Sequence, residues 1–228
     1  MIYLVINFDK VYVVRDGKTI LENITTTLCE HRIGVIGDNG SGKSTFVRLI
    51  NGLIKPTTGN VSTFGFDTKK EFKSIQKKVG FVSQDPDHQI IFPIVKDDLA
   101  FSLKNSGLTK EQISSRVDEI LECHEKKYLK EQISYHLSGG EKQMLALMST
   151  LIREPGFIIF DEPTTFLDHK NKLLFKKTID NLPQSVLVVT HDLNLISHFD
   201  RVLVLKDGRI AFDGTPSVAT EHYLHTLT

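Results

Sequence analysis

Short apolar runs alternate with helical patterns along much of the chain. Four β-rich runs come first, at positions 2–6, 11–14, 24–28 and 32–36, with turn chemistry at Asp16-Gly17. A glycine-rich turn follows, and the pattern then predicts a helix from 43 to 51 that ends at Gly52. Three later runs, at 157–160, 186–189 and 202–205, are continuously apolar. Such runs are typical of strands buried on both faces, which predicts an α/β fold with a parallel sheet.

The segment from 84 to 151 has a mostly helical pattern instead. Ile113, Val117, Ile120 and Leu121 have the spacing of one buried helix face. We therefore expect a helical insertion in the α/β core, at roughly 85–150 of a single domain that spans 1–228.

Composition excludes several classes of protein. Lys+Arg and Asp+Glu are both 28, so the formal net charge is zero and no overall field favours nucleic acid. No apolar stretch reaches the roughly 20 residues of a membrane span, and the N-terminus lacks a signal-peptide pattern. Cys29 and Cys123 have no metal-type spacing and are expected to be reduced thiols. Any membrane process would thus be served from the cytoplasmic side through a partner.

A phosphate-binding motif lies between the run at 33–36 and the first predicted helix. It fits G-x-x-x-x-G-K-[ST] and consists of Gly37, Asp38, Asn39, Gly40, Ser41, Gly42, Lys43, Ser44 and Thr45. Its glycines let backbone N–H groups approach phosphate oxygens, and the helix N-terminus adds a positive dipole end. We expect Lys43 to neutralise the β- and γ-phosphates and Ser44 to bind Mg²⁺. The motif predicts nucleotide binding but leaves ATP or GTP, and hydrolysis or transfer, open.

Two carboxylates, Asp161 and Glu162, follow the apolar run at 157–160. In open α/β sheets, ligands bind at the carboxyl ends of the strands. Asp161 is therefore a candidate Mg²⁺ ligand, and Glu162 is a candidate for polarising the water that attacks the γ-phosphate. Without the phosphate motif, two solvated acids at a strand end would be the simpler interpretation.

A second candidate anion site lies at the start of another predicted helix. Ser138 is a plausible N-cap, and Gly139-Gly140 exposes bare backbone ahead of Glu141. A helix that is merely capped is the alternative interpretation.

The motifs at 37–45, 137–141 and 161–162, together with His191, have the order and spacing of ABC-type ATPases. The resemblance covers nearly the whole chain, and the serine-glycine signature is absent from P-loop kinases and GTPases. It implies a P-loop NTPase fold with a RecA-like parallel-sheet core, an N-terminal antiparallel β part and an inserted helical subdomain. Glu141 departs from the more usual glutamine.

The resemblance also implies roles for single residues. Two such domains face head to tail around two ATP molecules, so Ser138, Gly139, Gly140 and Glu141 would meet the γ-phosphate held by the partner copy. Gln84 resembles the Q-loop glutamine, which senses Mg²⁺ and touches the transmembrane partner.

His191, which follows a predicted strand and precedes a predicted helix, resembles the switch histidine that reaches the γ-phosphate. Thr165 and Asp168 resemble the D-loop at the dimer interface. The catalytic set would then be Glu162, His191, Lys43 and Gln84. For stacking on adenine, the family position falls near Arg15, and Tyr12 is the nearest ring.

The segment 84–101, with its second glutamine Gln89 and the pair Asp97-Asp98, is similar to ATPases of energy-coupling-factor (ECF) importers. Within that branch the biotin-uptake ATPases are most similar, and cobalt or nickel uptake is the alternative. The resemblance implies a peripheral protein on the cytoplasmic face of the membrane. Its partners would be a second copy or a paralogue, a transmembrane coupling protein and a substrate-binding membrane protein. A soluble ABC ATPase and a P-loop kinase are the competing hypotheses.

Overall fold

The computed structural model of the protein describes residues 4–226. Its strands are β1 (Ile6–Arg15), β2 (Lys18–Leu28), β3 (Arg32–Gly37), β4 (Thr58–Thr63), β5 (Phe66–Asp67), β6 (Val79–Val82), β7 (Phe157–Asp161), β8 (Ser185–Val189), β9 (Arg201–Lys206) and β10 (Arg209–Gly214). Its α-helices are α1 (Lys43–Ile50), α2 (Phe72–Gln76), α3 (Val95–Ser102), α4 (Lys110–Cys123), α5 (Gly139–Leu151), α6 (His169–Asp180) and α7 (Pro216–His225). Short 3-10 turns lie at Pro86–His88, Lys127–Leu129 and Ser134–His136. No helix within 4–226 is long and apolar enough to cross a membrane.

The strands form two sheets. An antiparallel sheet has the order β2-β1-β4-β5, and a larger sheet has the order β10-β9-β3-β8-β7-β6. In the larger sheet β3 pairs in parallel with both β8 and β9, and β7 pairs in parallel with β8, whereas β10 returns antiparallel to β9. The α/β fold with an N-terminal antiparallel part and a mostly parallel core is therefore confirmed.

Apolar runs become the buried strands that the sequence predicts. All five residues of β7 are buried, as are the last four of β8. The run at 2–6 differs, because positions 2–3 lie outside the described residues and β1 begins at Ile6. In α4, Val117 and Leu121 are buried, and Ile113 and Ile120 pack partly buried against the same cluster, which confirms the predicted helix face.

The chain divides into two compact units. The first comprises residues 1–81, 156–162 and 182–228 and contains the phosphate-motif strand β3. The second comprises residues 82–155 and 163–181 and contains α3, α4, α5 and α6. In the second unit, side chains of α3, α4 and α5 share one apolar cluster.

The expectation of a helix directly after His191 is wrong, since residues 191–200 form turns. The Asp192 carboxylate accepts a hydrogen bond from the backbone N–H of Asn194, and the Thr190 hydroxyl accepts one from the N–H of Asp192. Short polar side chains that bond to nearby backbone groups compete with helix hydrogen bonds, which explains the difference.

Candidate nucleotide-binding site

The phosphate motif forms a glycine-lined loop between β3 and α1. A Cβ at Gly37 would lie 2.1 Å from the carbonyl oxygen of Leu205, so no side chain fits there. Gly42, the N-cap of α1, has φ +99°, a conformation that favours glycine. Both positions therefore require glycine.

Lys43 folds back into the loop. Its Nζ donates hydrogen bonds to the carbonyl oxygens of Gly37, at 2.7 Å, and Asp38, at 2.8 Å. Burial lowers the pKa of the Lys43 ammonium, while the charges of Glu162, Asp161 and Asp38 oppose that shift. The loop therefore contains one buried cation, held at the first turn of a helix whose dipole favours anions.

Asp161, at the end of β7, faces the first turn of α1. The Ser44 hydroxyl donates to its Oδ1 at 3.0 Å, and an Arg48 guanidinium nitrogen lies 3.7 Å from its Oδ2. Burial raises the pKa of the Asp161 carboxyl, and the contacts with Ser44, Arg48 and Lys43 oppose this. A hydroxyl and a carboxylate at this distance are the hard oxygen ligands that Mg²⁺ takes together with phosphate oxygens.

Glu162 follows β7 in a left-handed conformation, with φ 52°, and its N–H donates to the Val189 carbonyl. Its Oε1 lies 3.1 Å from His191 Nε2, and its Oε2 accepts a hydrogen bond from the His191 N–H. Burial raises the pKa of the Glu162 carboxyl, and the charge of His191 is the largest opposing influence. A non-glycine residue held in a strained conformation by its neighbours is a common feature of functional sites.

The first unit therefore brings together Lys43, Ser44, Asp161, Glu162 and His191. Such an arrangement can bind a polyphosphate, hold a hard cation and present a carboxylate base beside an imidazole.

The serine-glycine signature lies in the second unit at the start of α5. Ser138 is the N-cap, and its N–H and hydroxyl both donate to Glu141 Oε2, at 2.9 and 2.6 Å. Tyr128 donates to the other oxygen of Glu141 at 3.0 Å. Hydrogen bonds from Ser138 lower the pKa of the Glu141 carboxyl. Ser138 and Glu141 form a capping box, which confirms the predicted N-cap.

The second unit places the start of α6 beside this signature. A Cβ at Gly140 would lie 2.6 Å from the side chain of Asn171, so a larger residue there would displace that side chain. Asp168 is the N-cap of α6 and accepts from the N–H of Asn171 at 2.8 Å, while Thr165 is exposed. The D-loop candidates and the signature thus belong to one local structure.

Gln84 is exposed in a bend after β6, directly before the 3-10 turn at Pro86–His88. Two residues that follow it in the chain, Gln89 and Asp98, form hydrogen bonds with α5. Gln89 donates to the carbonyl of Ala146 at 3.0 Å, and the buried Asp98 accepts from Ser149 at 3.0 Å. Asp98 also accepts from the N–H groups of residues 91 and 92. Gln89, which is half-buried, and the buried Asp98 therefore hold the segment against α5.

Arg15 lies exposed at the end of β1, and Tyr12 is half-buried on the same strand. Neither placement selects one of them as the residue that stacks on adenine, and both stay predictions.

Sequence reasoning missed two residues that contact the site. Arg48 lies four residues after Ser44 on α1, a spacing that places both on one helix face and could have revealed it. Tyr223, on α7, donates from its hydroxyl to Asp38 Oδ1 at 3.2 Å. It is 185 positions away along the chain, and no local pattern indicates it.

The fold and the site define a P-loop nucleotide hydrolase. Its helical unit carries a second helix N-terminus, that of α5, which is a candidate anion site. The family profile described as ABC transporter matches residues 21–165. The chain is 49% identical to the biotin transport ATP-binding protein BioM of Rhizobium etli, over 96% of this chain and 97% of that protein. It is 42% identical to the energy-coupling factor transporter ATP-binding protein EcfA1 of Streptococcus pyogenes, over 81% of this chain and 68% of that protein.

Among solved structures, cbiO1 of Clostridium perfringens, part of the ABC transporter complex cbiONQ, has a TM-score of 0.85. The two sequences are 28% identical, and the matched region covers 99% of this chain and 94% of cbiO1. The chain therefore belongs to the ABC transporter family, as an ATP-binding subunit of the energy-coupling-factor type. Like the other members of this family it is an ATPase.

Proposed function

We propose that the protein is the ATPase subunit of an ECF-type importer that takes up biotin. The similarity to BioM over nearly the full length of both chains supports this substrate. Residues 1–228 act as one ATP-binding domain, with the helical subdomain at roughly 85–150. It works at the cytoplasmic face of the membrane, bound to a transmembrane coupling protein and a substrate-binding membrane protein. Gln84, exposed at the start of the helical unit, is suited to contact the coupling protein.

Hydrolysis follows from the geometry around Glu162. The observation that carries it is the buried carboxylate of Glu162 beside the phosphate loop, with its Oε1 3.1 Å from His191 Nε2. Its raised pKa brings it closer to working pH, which suits a general base that takes a proton from the attacking water. His191 orients this carboxylate and can contact the γ-phosphate, and Lys43 neutralises charge on the β- and γ-phosphates.

Ser44 and Asp161 would hold Mg²⁺, and the role of Gln84 at the ion rests on the family resemblance alone. The ion would neutralise the β- and γ-phosphate oxygens. Among residues 4–226, no group of three or more His, Cys, Asp or Glu side chains is arranged as a metal site. One carboxylate, one hydroxyl and the phosphates of the substrate are nevertheless sufficient for Mg²⁺, which rarely occupies an all-protein cage.

The complete site needs a second copy. Each chain carries a phosphate loop and a signature helix start, so a head-to-tail homodimer has two equivalent composite sites. Ser138, Gly139 and Gly140 contact the γ-phosphate held by the other copy, and Thr165 and Asp168 lie at the interface. ATP then closes the dimer, and loss of phosphate opens it.

Glu162→Gln tests the hydrolytic assignment. It keeps the size and removes the base, so kcat should fall by ~10²–10⁴, the usual contribution of general base catalysis. ATP binding should persist, and the variant should elute from a sizing column as an ATP-bound dimer. Glu119→Gln, an exposed change on α4, is the matched control. Near-normal turnover of Glu162→Gln would exclude Glu162 as the base.

The substrate is tested by growth. A strain that lacks this protein should need excess biotin, and the wild-type chain, but not Glu162→Gln, should restore growth at low biotin. Rescue of cobalt or nickel uptake instead would reassign the importer. Co-purification with ribosomes or DNA rather than a small membrane protein would contradict the transport function.

A further inference from the structure

The C-terminal helix α7 packs on the sheet that carries the phosphate loop. It begins with Pro216, and its residues Ala219 and Tyr223, four positions apart, are both buried on one face. His222 stacks on Phe212 of β10 with ring centroids 4.8 Å apart. The helix that carries Tyr223 is therefore held against β10 through His222, and the side chain of Tyr223 itself is buried.

The hydroxyl of Tyr223 reaches the phosphate loop. It donates to Asp38 Oδ1 at 3.2 Å, and the backbone carbonyl of the same Asp38 accepts from Lys43 Nζ at 2.8 Å. Asp38 thus connects Tyr223 to the cation of the loop, through its side chain on one side and its backbone on the other.

Asp38 is an unfavourable neighbour for a triphosphate. It is the one acidic residue of the loop 37–45, and a like charge near bound phosphate is repulsive. A hydrogen bond to one carboxylate oxygen fixes the direction of that charge. Burial and the interaction with Asp38 raise the pKa of Tyr223, so its hydroxyl keeps the proton it donates at neutral pH.

We propose that Tyr223 is a positioning residue for ATP binding, which holds the Asp38 carboxylate in place so that the loop accepts the triphosphate. The inference rests on the proposed role of residues 37–45 in binding phosphate. Tyr223 acts through Asp38, the side chain to which its hydroxyl donates. Its loss therefore changes the affinity for ATP and leaves the chemical step to Glu162.

Tyr223→Phe is the direct test, because it removes the hydroxyl and keeps the ring. The KM for ATP should rise about three- to tenfold, which corresponds to the loss of one hydrogen bond, with kcat within about twofold of wild type. Thr226→Val is the matched control. Its hydroxyl donates to the Tyr223 carbonyl at 2.7 Å, so its removal perturbs the same helix without touching the loop.

Thermal melting of both variants separates a structural effect from a positioning effect. We expect similar losses of stability in both but a raised KM in Tyr223→Phe alone. A raised KM in both, or an unchanged KM in Tyr223→Phe, would overturn the proposal.

A double-mutant cycle tests the route through Asp38. In an Asp38→Ala background Tyr223→Phe should have no further effect on KM. The same is expected with Asp38→Asn, which keeps an oxygen acceptor for Tyr223 but removes the charge that the hydrogen bond directs. Additive effects with Asp38→Ala would contradict the mechanism. Lys43→Ala separates this result from the proposed function. If it weakens ATP binding while Tyr223→Phe does not, only the present inference fails, and if neither does, the loop assignment fails.

Discussion

The N-termini of α1 and α5, the two candidate anion sites of this chain, are built differently. At α1 the N-cap is Gly42, the first helical residue is Lys43, and in the described structure neither a side-chain cap nor an acid occupies the first turn. At α5 the N-cap is Ser138, and Glu141 completes a capping box with it. The N-terminus of α1 thus offers its N–H groups and a cation, whereas α5 already satisfies two donors with its own carboxylate.

This difference predicts that the α1 site binds phosphate by itself and that the α5 site does not. At α1 the helix dipole and the Lys43 ammonium both attract a polyphosphate. At α5 the dipole acts in the same direction, but the negative charge of Glu141 opposes the approach of a phosphate. The second site is therefore expected to act on ATP only after the first site of another copy has bound it. The glutamates of the two sites also differ in their acidity. The pKa of Glu162 is raised, whereas the pKa of Glu141 is lowered.

Lys43→Ala breaks the α1 site. Loss of a charge-assisted contact to phosphate should weaken ATP binding by about ten- to a hundredfold. Titration calorimetry on the isolated subunit measures this affinity. Lys70→Ala, which removes an exposed lysine of the same unit, should bind as the wild type does. Equal affinities for all three proteins would remove Lys43 from the phosphate site.

The pH dependence of hydrolysis sharpens the contrast between the two carboxylates. The base acts in its ionised form, so kcat should be constant above the raised pKa of Glu162 and fall as the pH drops through it. The expected slope below that pKa is about tenfold per pH unit for a single group. In Glu162→Gln the residual kcat should no longer fall as the pH drops through this range. Glu141, whose pKa is lowered, should stay ionised through the same window.

Sequence patterns predicted the parts of the site that are local along the chain. The loop at 37–45, the two acids at the end of β7 and the cap at Ser138 each depend on neighbours within a few residues. Tyr223 and the anchoring of the Gln84 segment by Asp98 depend on contacts between distant elements, which periodicity does not reveal. The helix expected after His191 failed because Thr190 and Asp192 bond to the local backbone.

Ser138→Ala probes the α5 site. Binding of ATP to one protomer should be unchanged, but ATP-driven dimerisation and kcat should fall about three- to tenfold, because one hydrogen bond across the interface is lost. Thr109→Ala is a closely matched control, since Thr109 forms an equivalent capping box with Gln112 on α4 of the same unit. Both variants lose a cap, which costs about 1 kcal/mol. Equal hydrolysis by the two would show that Ser138 only caps its helix.

Glu141→Gln changes the charge of the α5 site while keeping its shape. The amide oxygen can still accept from Ser138, and the amide nitrogen can donate to Tyr128, so the cap should persist. Removal of one half-buried negative charge should lower the ATP concentration for half-maximal dimerisation by about two- to fivefold. Glu131→Gln, which removes the partner of Lys96, controls for net charge. Light scattering during an ATP titration measures the effect, and a weaker dimer in Glu141→Gln would mean that the carboxylate helps rather than opposes the approach of phosphate.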